Sequence, residues 1–187
     1  MKFLKKIFVY IKKMCVEVKY VLLNCIVCNI PFWPFRYILY SAFGMKIGRK
    51  SRILMHTRVY APEKIKIGKN TFVNECCYLD GRGGIDIGSS VTIATYTKLI
   101  TGSHNIDDEN FSYIESPIVI GDNVAIFSDS LVLGGSVIEK GCVFSARSLV
   151  RKGVYEEKGI YAGNPVKFLR IRKSLVEYEQ QGFTVFR

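Results

Sequence analysis

The chain has 187 residues, 49% of them hydrophobic and 23% charged, with 16 Gly and 5 Pro. That is enough for one packed domain and an appendage, and it excludes two independent catalytic domains and a disordered or collagenous chain. The formal charge of +11 is uneven: residues 1–50 hold ten bases and one acid, residues 51–150 nine and eleven, and residues 151–187 eight and four. A nucleic-acid binder more often spreads bases over a folded face between aromatics, so the charged ends point to a membrane surface or an anionic cofactor rather than to nucleic acid.

At the N-terminus Phe3, Leu4, Ile7, Phe8, Ile11, Met14, Cys15 and Val18 recur at three and four residues. Lys2, Lys5, Lys6, Lys12, Lys13 and Lys19 carry the charge. This pattern predicts a basic amphipathic helix. The longest uncharged stretch, Tyr20 to Phe35, is 16 residues and contains Asn24, Asn29, Pro31 and Pro34, whereas a spanning helix wants ~20 mostly apolar residues. Residues 1–44 therefore read as helix, break, helix. Their lysines and the rings of Phe32, Trp33, Phe35 and Tyr37 suit a segment lying on an anionic membrane surface, with packing on a partner subunit as the other reading. No signal peptide with a small-residue cleavage site precedes the six cysteines at 15, 25, 28, 76, 77 and 142. The Cys25–Cys28 pair lies in an apolar run with no second such pair and no nearby His, so buried thiols are expected rather than zinc or redox use.

From Ile47 onward the chain has a six-residue period. Apolar residues fall at Ile47, Ile53, Val59, Ile67, Val73, Leu79, Ile87, Ile93, Leu99, Ile120, Ile126, Val132, Ile138, Phe144 and Val150. At a 49% background that run has a chance of about 2 × 10⁻⁵ in a fixed frame. Four residues after nearly every one comes a small or medium residue, from Ser51 and Thr57 through Ser103 and Ser148 to Val154, with Glu63 the exception. One large and one small inward position in six is the pattern of a triangular coil of short parallel strands. The predicted fold is all-β: a left-handed parallel β-helix of about five coils over residues 45–155, led by the amphipathic pair at 1–44 and closed by a C-terminal cap at 156–187. The Ile-Gly pairs at 47, 67, 87 and 120 predict corners where glycine supplies positive φ.

The period is interrupted by fifteen residues, 105–119, in the polar, acidic sequence NIDDENFSYIESPIV. A loop projecting from a rigid repeat is a natural place for function. Of the two histidines, His104 stands at the root of this loop, where a strand can hold it while its ring points outward. A neutral imidazole can take a proton from an alcohol attacking a carbonyl. His56 has no such context and reads as structural. An orienting partner for the second ring nitrogen of His104 is expected among Asp107, Asp108 and a backbone carbonyl.

The phrases VNECCYLDGRGGIDIG, LITGSHNID, PIVIGDNVAI and IYAGNPVKFLRIR resemble those of the hexapeptide-repeat acyltransferases. Within them, the sugar O-acetyltransferases of the maltose, galactoside and colanic-acid type are the nearest in pattern. The lead NIPFWPFRYILYSAFGMKIG is similar to that of the colanic-acid branch, and the resemblance covers residues 29–172. It implies a homotrimer with active sites between neighbouring prisms, acetyl-CoA lying along the groove, direct transfer without an acyl-enzyme, and no metal. His104 matches the general base, Asn74 an acceptor-site asparagine, and Asp80 and Arg82 belong to the same acceptor-facing segment. A corner residue at left-handed φ is the alternative for Asn74, and a surface ion pair for Asp80 and Arg82. Lys152, Lys167 and Arg170 match bases near the nucleotide phosphates, and Ser128, Ala146 and Gly163 match points of close backbone approach to the pantetheine arm. Ala125 stands where the family commonly has Trp, Phe127 where it has a small residue, and Arg147 where it has Gly.

The implied reaction is acetyl transfer from acetyl-CoA to a saccharide hydroxyl, with a cell-surface polysaccharide precursor, lipid-linked or free, as acceptor. The expected location is cytoplasmic, peripheral on the inner membrane. N-acetylation of an amino sugar and a noncatalytic membrane scaffold are the competing readings. A zinc site of the carbonic-anhydrase kind needs three histidines per site, which two per chain cannot supply in a trimer of identical sites.

Overall fold

The six-residue period becomes strands of mostly two or three residues between sharp corners in the computed structural model, which describes residues 2–174 and Tyr178. Three faces result. The first stacks Lys46–Ile47, Ile65–Ile67, Ile85–Ile87, Ile118–Ile120, Ser136–Ile138 and Gly153–Tyr155. The second stacks Arg52–Ile53, Phe72–Val73, Thr92–Ile93, Ala125–Ile126, Val143–Phe144 and Gly159–Gly163, and the third Arg58–Tyr60, Tyr78–Asp80, Lys98–Ile100, Leu131–Leu133 and Leu149–Val150. Strands pair in parallel one coil apart, so Ile47 faces Ile67, Ile67 faces Ile87 and Ile87 faces Ile120. The result is a left-handed parallel β-helix of about six turns, one more than the hexapeptide count predicts. The extra level comes from Gly153–Tyr155 and Gly159–Gly163, which continue the coil past Val150. The final strand, Val166–Ile171, then folds back antiparallel on Gly159–Gly163 and covers that edge. Part of the predicted cap, residues 175–177 and 179–187, lies outside the described residues.

Of the fifteen predicted inward apolar residues, all but Ile47 are at most 4% exposed. Ile47 is half-buried against the same cluster. Each buried aliphatic side chain contributes roughly 1.5–3 kcal/mol. The small inward residues close their own polar groups: Thr57 Oγ1 donates to the Asn74 carbonyl at 3.0 Å and Thr71 Oγ1 to that of Gly88 at 2.8 Å, both one coil up. Two predicted inward residues, Ser103 and Val154, are instead exposed. Thr101 takes the inward place before Ser103 leaves the coil, and Tyr155 packs on the core in place of Val154.

The corner glycines act differently from the expectation. Gly48, Gly68, Gly88 and Gly121 do not have positive φ. That conformation is taken two residues on by Lys50, Asn70, Ser90 and Asn123, and at the next corner by His56, Cys76, Tyr96, Asp129 and Arg147. Glycine is required for closeness. A Cβ on Gly48 would stand 2.5 Å from the Gly68 carbonyl carbon, and one on Gly68 2.5 Å from that of Gly88.

The N-terminal segment forms helix α1 (Lys2–Val21), a π turn at Leu22–Ile26, a 3-10 turn at Val27–Asn29 and helix α2 (Trp33–Ala42), with Pro34 in the first turn of α2. It is fastened to the first coil. Asn24 bonds the Val59 backbone in both directions at 3.1 and 2.7 Å, and Asn29 Oδ1 meets His56 Nδ1 at 2.7 Å. His56 is thus structural, as its context implied. Trp33 departs from the expected interfacial ring: it is buried, with the guanidinium of fully buried Arg36 5.6 Å from its centroid. Arg36 also donates to the carbonyls of Ile30 and Ile53, so it ties α2 to the coil. Cys28, Cys77 and Cys142 are buried free thiols, but Cys25 faces outward from the π turn, against the expectation for that pair. Among the described residues no helix is long and apolar enough to cross a membrane.

Gly68→Ala is expected to destabilise the fold by about 1–3 kcal/mol, the usual cost of forcing atoms into a packed contact, read by thermal or denaturant unfolding.

Candidate active site

The insertion is a hairpin rather than a loop. Gly102–His104 pairs antiparallel with Tyr113–Glu115, matching His104 with Tyr113, and the chain is back in the coil at Ile118, which is fully buried. The predicted projecting segment 105–119 is therefore shifted: it starts at Gly102, and Ile118 and Val119 belong to a first-face strand. Ile118 lies opposite Ile85, as Ile85 lies opposite Ile65. This is a second inward row two residues before the counted one, which a single-frame period overlooks.

Rigid neighbours grip the hairpin root. The Ser116 N–H donates to the Thr101 carbonyl at 3.0 Å, the Gly134 N–H to the Ile100 carbonyl at 2.8 Å, and the Ile118 N–H to the Gly84 carbonyl at 3.0 Å. Gly83 below and Gly134 above lie so close to Ser116 that a Cβ on either would stand 2.9 or 2.6 Å from its carbonyl oxygen. At the tip, Asn105 and Asp108 cap the turn by accepting the N–H groups of Asp107 and Asn110 at 3.2 and 3.0 Å. The Asp107 backbone and the Asp108 side chain are thus engaged in the turn, and hydrogen bonds from Ser112 hold the Asp108 carboxyl below its usual range.

His104 is exposed on this rigid base. Its Nδ1 lies 2.8 Å from the Phe111 carbonyl oxygen. A carbonyl only accepts, so Nδ1 carries a proton, and the neutral form of the ring holds its lone pair on Nε2. Of the candidate orienting partners, the backbone carbonyl is the one that meets the ring. Phe111 stacks on the imidazole at 4.4 Å and 6°, and Tyr113 meets it edge-on at 5.4 Å. Composition of the segment alone does not assign Phe111 and Tyr113 to the site. Their signal is the hairpin itself, turn-forming Asn105 to Asn110 between strands whose alternation returns Tyr113 opposite His104.

Beneath Tyr113 lies a charged layer. The Arg82 guanidinium is 5.4 Å from the Tyr113 centroid and grips Asp80 with Nε–Oδ1 at 2.7 Å and Nη2–Oδ2 at 2.9 Å. Asp80 also accepts the N–H of Arg82 at 3.2 Å and of Gly102 at 3.3 Å, and is fully buried. Burial by itself pushes this carboxyl up; the hydrogen bonds and charge of Arg82, with the Gly102 amide, outweigh it and hold the group below its ordinary range. The same pairing raises Arg82. The expectation that Asp80 faces an acceptor is corrected: its oxygens are enclosed, and it holds Gly102, two residues from His104. The two residues form an ion pair that is only half at the surface, with Asp80 fully buried and the Arg82 side chain exposed.

The remaining predicted residues divide between corners. Lys152 shares the corner of His104, where it lines, with Gly102, Ser103 and Arg151, a cavity of about 360 Å³. Asn74, Ser128 and Ala146 lie at the corner between the second and third faces, a whole third-face strand away from His104. Asn74 is not at left-handed φ, which falls to Cys76. Its Nδ2 donates to the Ile93 carbonyl at 3.0 Å. Gly163, Lys167 and Arg170 are on the terminal hairpin. Arg170 lines, with Ala125, Phe127 and Arg172, a cavity of about 520 Å³ on the second face. Two of the positions that depart from the family pattern thus face that cavity, and Arg147 pairs with Asp129 at 3.3 Å at the surface.

A triangular coil with an imidazole held at the root of an inserted hairpin defines a hexapeptide-repeat protein. A protein of Escherichia coli (strain K12) named for an acetyltransferase of colanic acid biosynthesis is 33% identical over 140 residues, covering 75% of this chain and 76% of its own length. An Escherichia coli dTDP-4-amino-4,6-dideoxy-D-glucose acyltransferase is 28% identical over 165 residues, covering 71% and 85%. A hexapeptide-repeat acetyltransferase of Vibrio cholerae O1 biovar eltor, solved with acetyl coenzyme A, matches with a TM-score of 0.79 at 25% identity over 86% of this chain and 89% of that one. No family model matches the chain. The chain belongs to the hexapeptide-repeat acetyltransferases.

Asp80→Asn is expected to cost about 2 kcal/mol at neutral pH, the scale of hydrogen bonds to a charged group. A carboxyl depressed on folding stabilises above its unfolded pKa, so the gap between the wild-type protein and Asp80→Asn closes as pH falls from about 4 through the lower folded value. Denaturant unfolding of both proteins across acid pH measures it.

Proposed function

We propose that the protein is an acetyl-CoA-dependent O-acetyltransferase acting on a saccharide hydroxyl, with a cell-surface polysaccharide precursor as acceptor and His104 as general base. The observation that carries this reading is the Nδ1–Phe111 hydrogen bond, 2.8 Å long, which leaves Nε2 as an outward proton acceptor on a rigid support. The acceptor hydroxyl gives its proton to Nε2 while its oxygen bonds the thioester carbonyl carbon. Loss of the C–S bond then releases the CoA thiolate, which takes the proton back from Nε2, so the ring ends neutral and no acyl-enzyme is needed. An alcohol needs this base more than an amine does, because its proton must leave as the bond forms. A backbone carbonyl as orienting partner keeps the neutral ring in one tautomer.

The division of the predicted residues between two corners supports a homotrimer, in which Asn74, Ser128 and Ala146 of one prism meet the His104 corner of the next. Lys152, Lys167 and Arg170 supply charge-assisted donors suited to the donor's phosphates, and Gly163 leaves room for close backbone approach. Arg82 reaches the acceptor side through its exposed half, with Asp80 as its anchor. A lipid-linked acceptor on the cytoplasmic face of the inner membrane fits the amphipathic N-terminus.

A second reading, N-acylation of an amino sugar, is favoured by the relative named as an acyltransferase of an amino sugar. Incubation with acetyl-CoA and a panel of free and lipid-linked saccharides and amino sugars, read by mass, separates the two. Mild alkali removes an ester-linked acetyl group and leaves an amide. His104→Ala is expected to lower kcat by about 10²–10⁴ with circular dichroism and sedimentation unchanged. An unaltered rate rejects the base assignment.

A further inference from the structure

We propose that the N-terminal end of the prism is a docking surface for an anionic lipid bilayer, built jointly from the apolar arc of α1 and the exposed bases of the first coil. The charge of the prism changes along its axis. Residues 46–69 hold eight bases and one acid, whereas residues 70–150 hold four bases and ten acids. Lys46, Arg49, Lys50 and Lys69 are exposed. The last three, with Asn70, line an open recess of about 530 Å³ at the corner between the first and second faces. Three cations and an amide are a suitable lining for a phosphate headgroup.

The helices stand on this same end. Lys19 pairs with Glu63 at 3.1 Å, Tyr20 packs on Tyr60 at 4.9 Å, and Asn24, Asn29 and Arg36 each bond a residue within 53–59. Beyond that anchorage Ile7, Phe8, Ile11, Met14 and Val18 are 41–58% exposed and span about 120° of the helix at 100° per residue. Lys6 and Lys13 flank the arc on one side, Lys12 and Lys19 on the other, with the Lys12 ammonium 4.5 Å over the Phe8 ring. A water-facing apolar arc with bases on both flanks is the arrangement of a helix lying in a bilayer interface. The first-coil bases add a second attraction, roughly fivefold in binding for each base near an anionic surface. Neither feature alone selects a bilayer; their presence at one end does. The docking does not rest on the acetyl-transfer reading. It does set the His104 hairpin two coils above the first, roughly 10 Å up, within reach of a saccharide carried on a lipid.

Flotation of the full chain with phosphatidylcholine vesicles, and with mixed phosphatidylcholine and phosphatidylglycerol vesicles, tests the surface. Binding is expected on the anionic vesicles, weakened by salt. The triple variant Arg49→Ala, Lys50→Ala, Lys69→Ala is expected to bind on the order of 100-fold more weakly, and Phe8→Glu with Ile11→Glu to abolish binding. Lys158→Ala with Lys173→Ala, at the opposite basic end, is expected to bind as wild type. The proposal is overturned if the wild-type protein binds neutral and anionic vesicles equally or neither, if the triple variant binds unchanged, or if the loss follows the opposite end. A change of oligomeric state in the Phe8→Glu, Ile11→Glu variant with vesicle binding intact also overturns it, and assigns the arc to a second copy of the chain. The salt series on the wild-type protein needs no variant to fold.

Discussion

Backbone stacked on backbone is the constraint from which the rest of the molecule follows. At the Gly48, Gly68 and Gly88 corners successive coils approach so closely that a single methyl group has no room. The inward rows of Ile, Val and Leu therefore repeat in strict register. A coil held at that spacing accommodates extra residues only outside the prism. The 20-residue recurrence of the first corners and the 102–115 hairpin are both extra chain placed outside it.

That placement gives the hairpin its precision. A loop on a flexible surface would lose its geometry to motion, whereas this one leaves the coil between Gly83 and Gly134, with Ser116 pressed between their backbones. The buried Asp80 carboxylate holds Gly102 from below, and Thr101 links the Asp80 carbonyl at 2.6 Å to the Gly83 N–H at 2.8 Å. His104 thus inherits its orientation from residues that do not touch it. Its direct partner, the Phe111 carbonyl, sets the tautomer. This division of labour accounts for the costly burial of a carboxylate bonded to the strand that carries the imidazole: a paired, fully bonded charge in low dielectric is a stiff support, because any displacement leaves it unsatisfied.

The axial charge pattern has a separate origin. The first coil anchors the N-terminal helices, so its bases lie at the end of the prism that carries the exposed apolar arc of α1. The middle coils are acidic, which discourages nonspecific contact with the same anionic surfaces. Arg36 shows that the helices are integral to the fold rather than attached to it, since its buried guanidinium donates through Nη1 and Nη2 to carbonyls on both sides of the junction.

Much of the architecture is legible in the chain because inward burial in a β-helix leaves a period of six that few other folds share. The large inward positions follow from hydrophobicity alone, and the root of the insertion from where the period stops. What the sequence could not decide depended on contacts between residues distant along the chain. Glycine at the corners is read equally well as conformational freedom or as close approach, and only the distance from Gly68 to Gly88 chooses. Asp80 and Arg82 are polar residues of no fixed direction until stacking places Gly102 above them. Trp33 looks interfacial until Arg36 and the first coil enclose it. A one-dimensional pattern records how often a side chain points inward; what it touches there is set by the neighbouring coil, some twenty residues away, and that distance is closed only by folding.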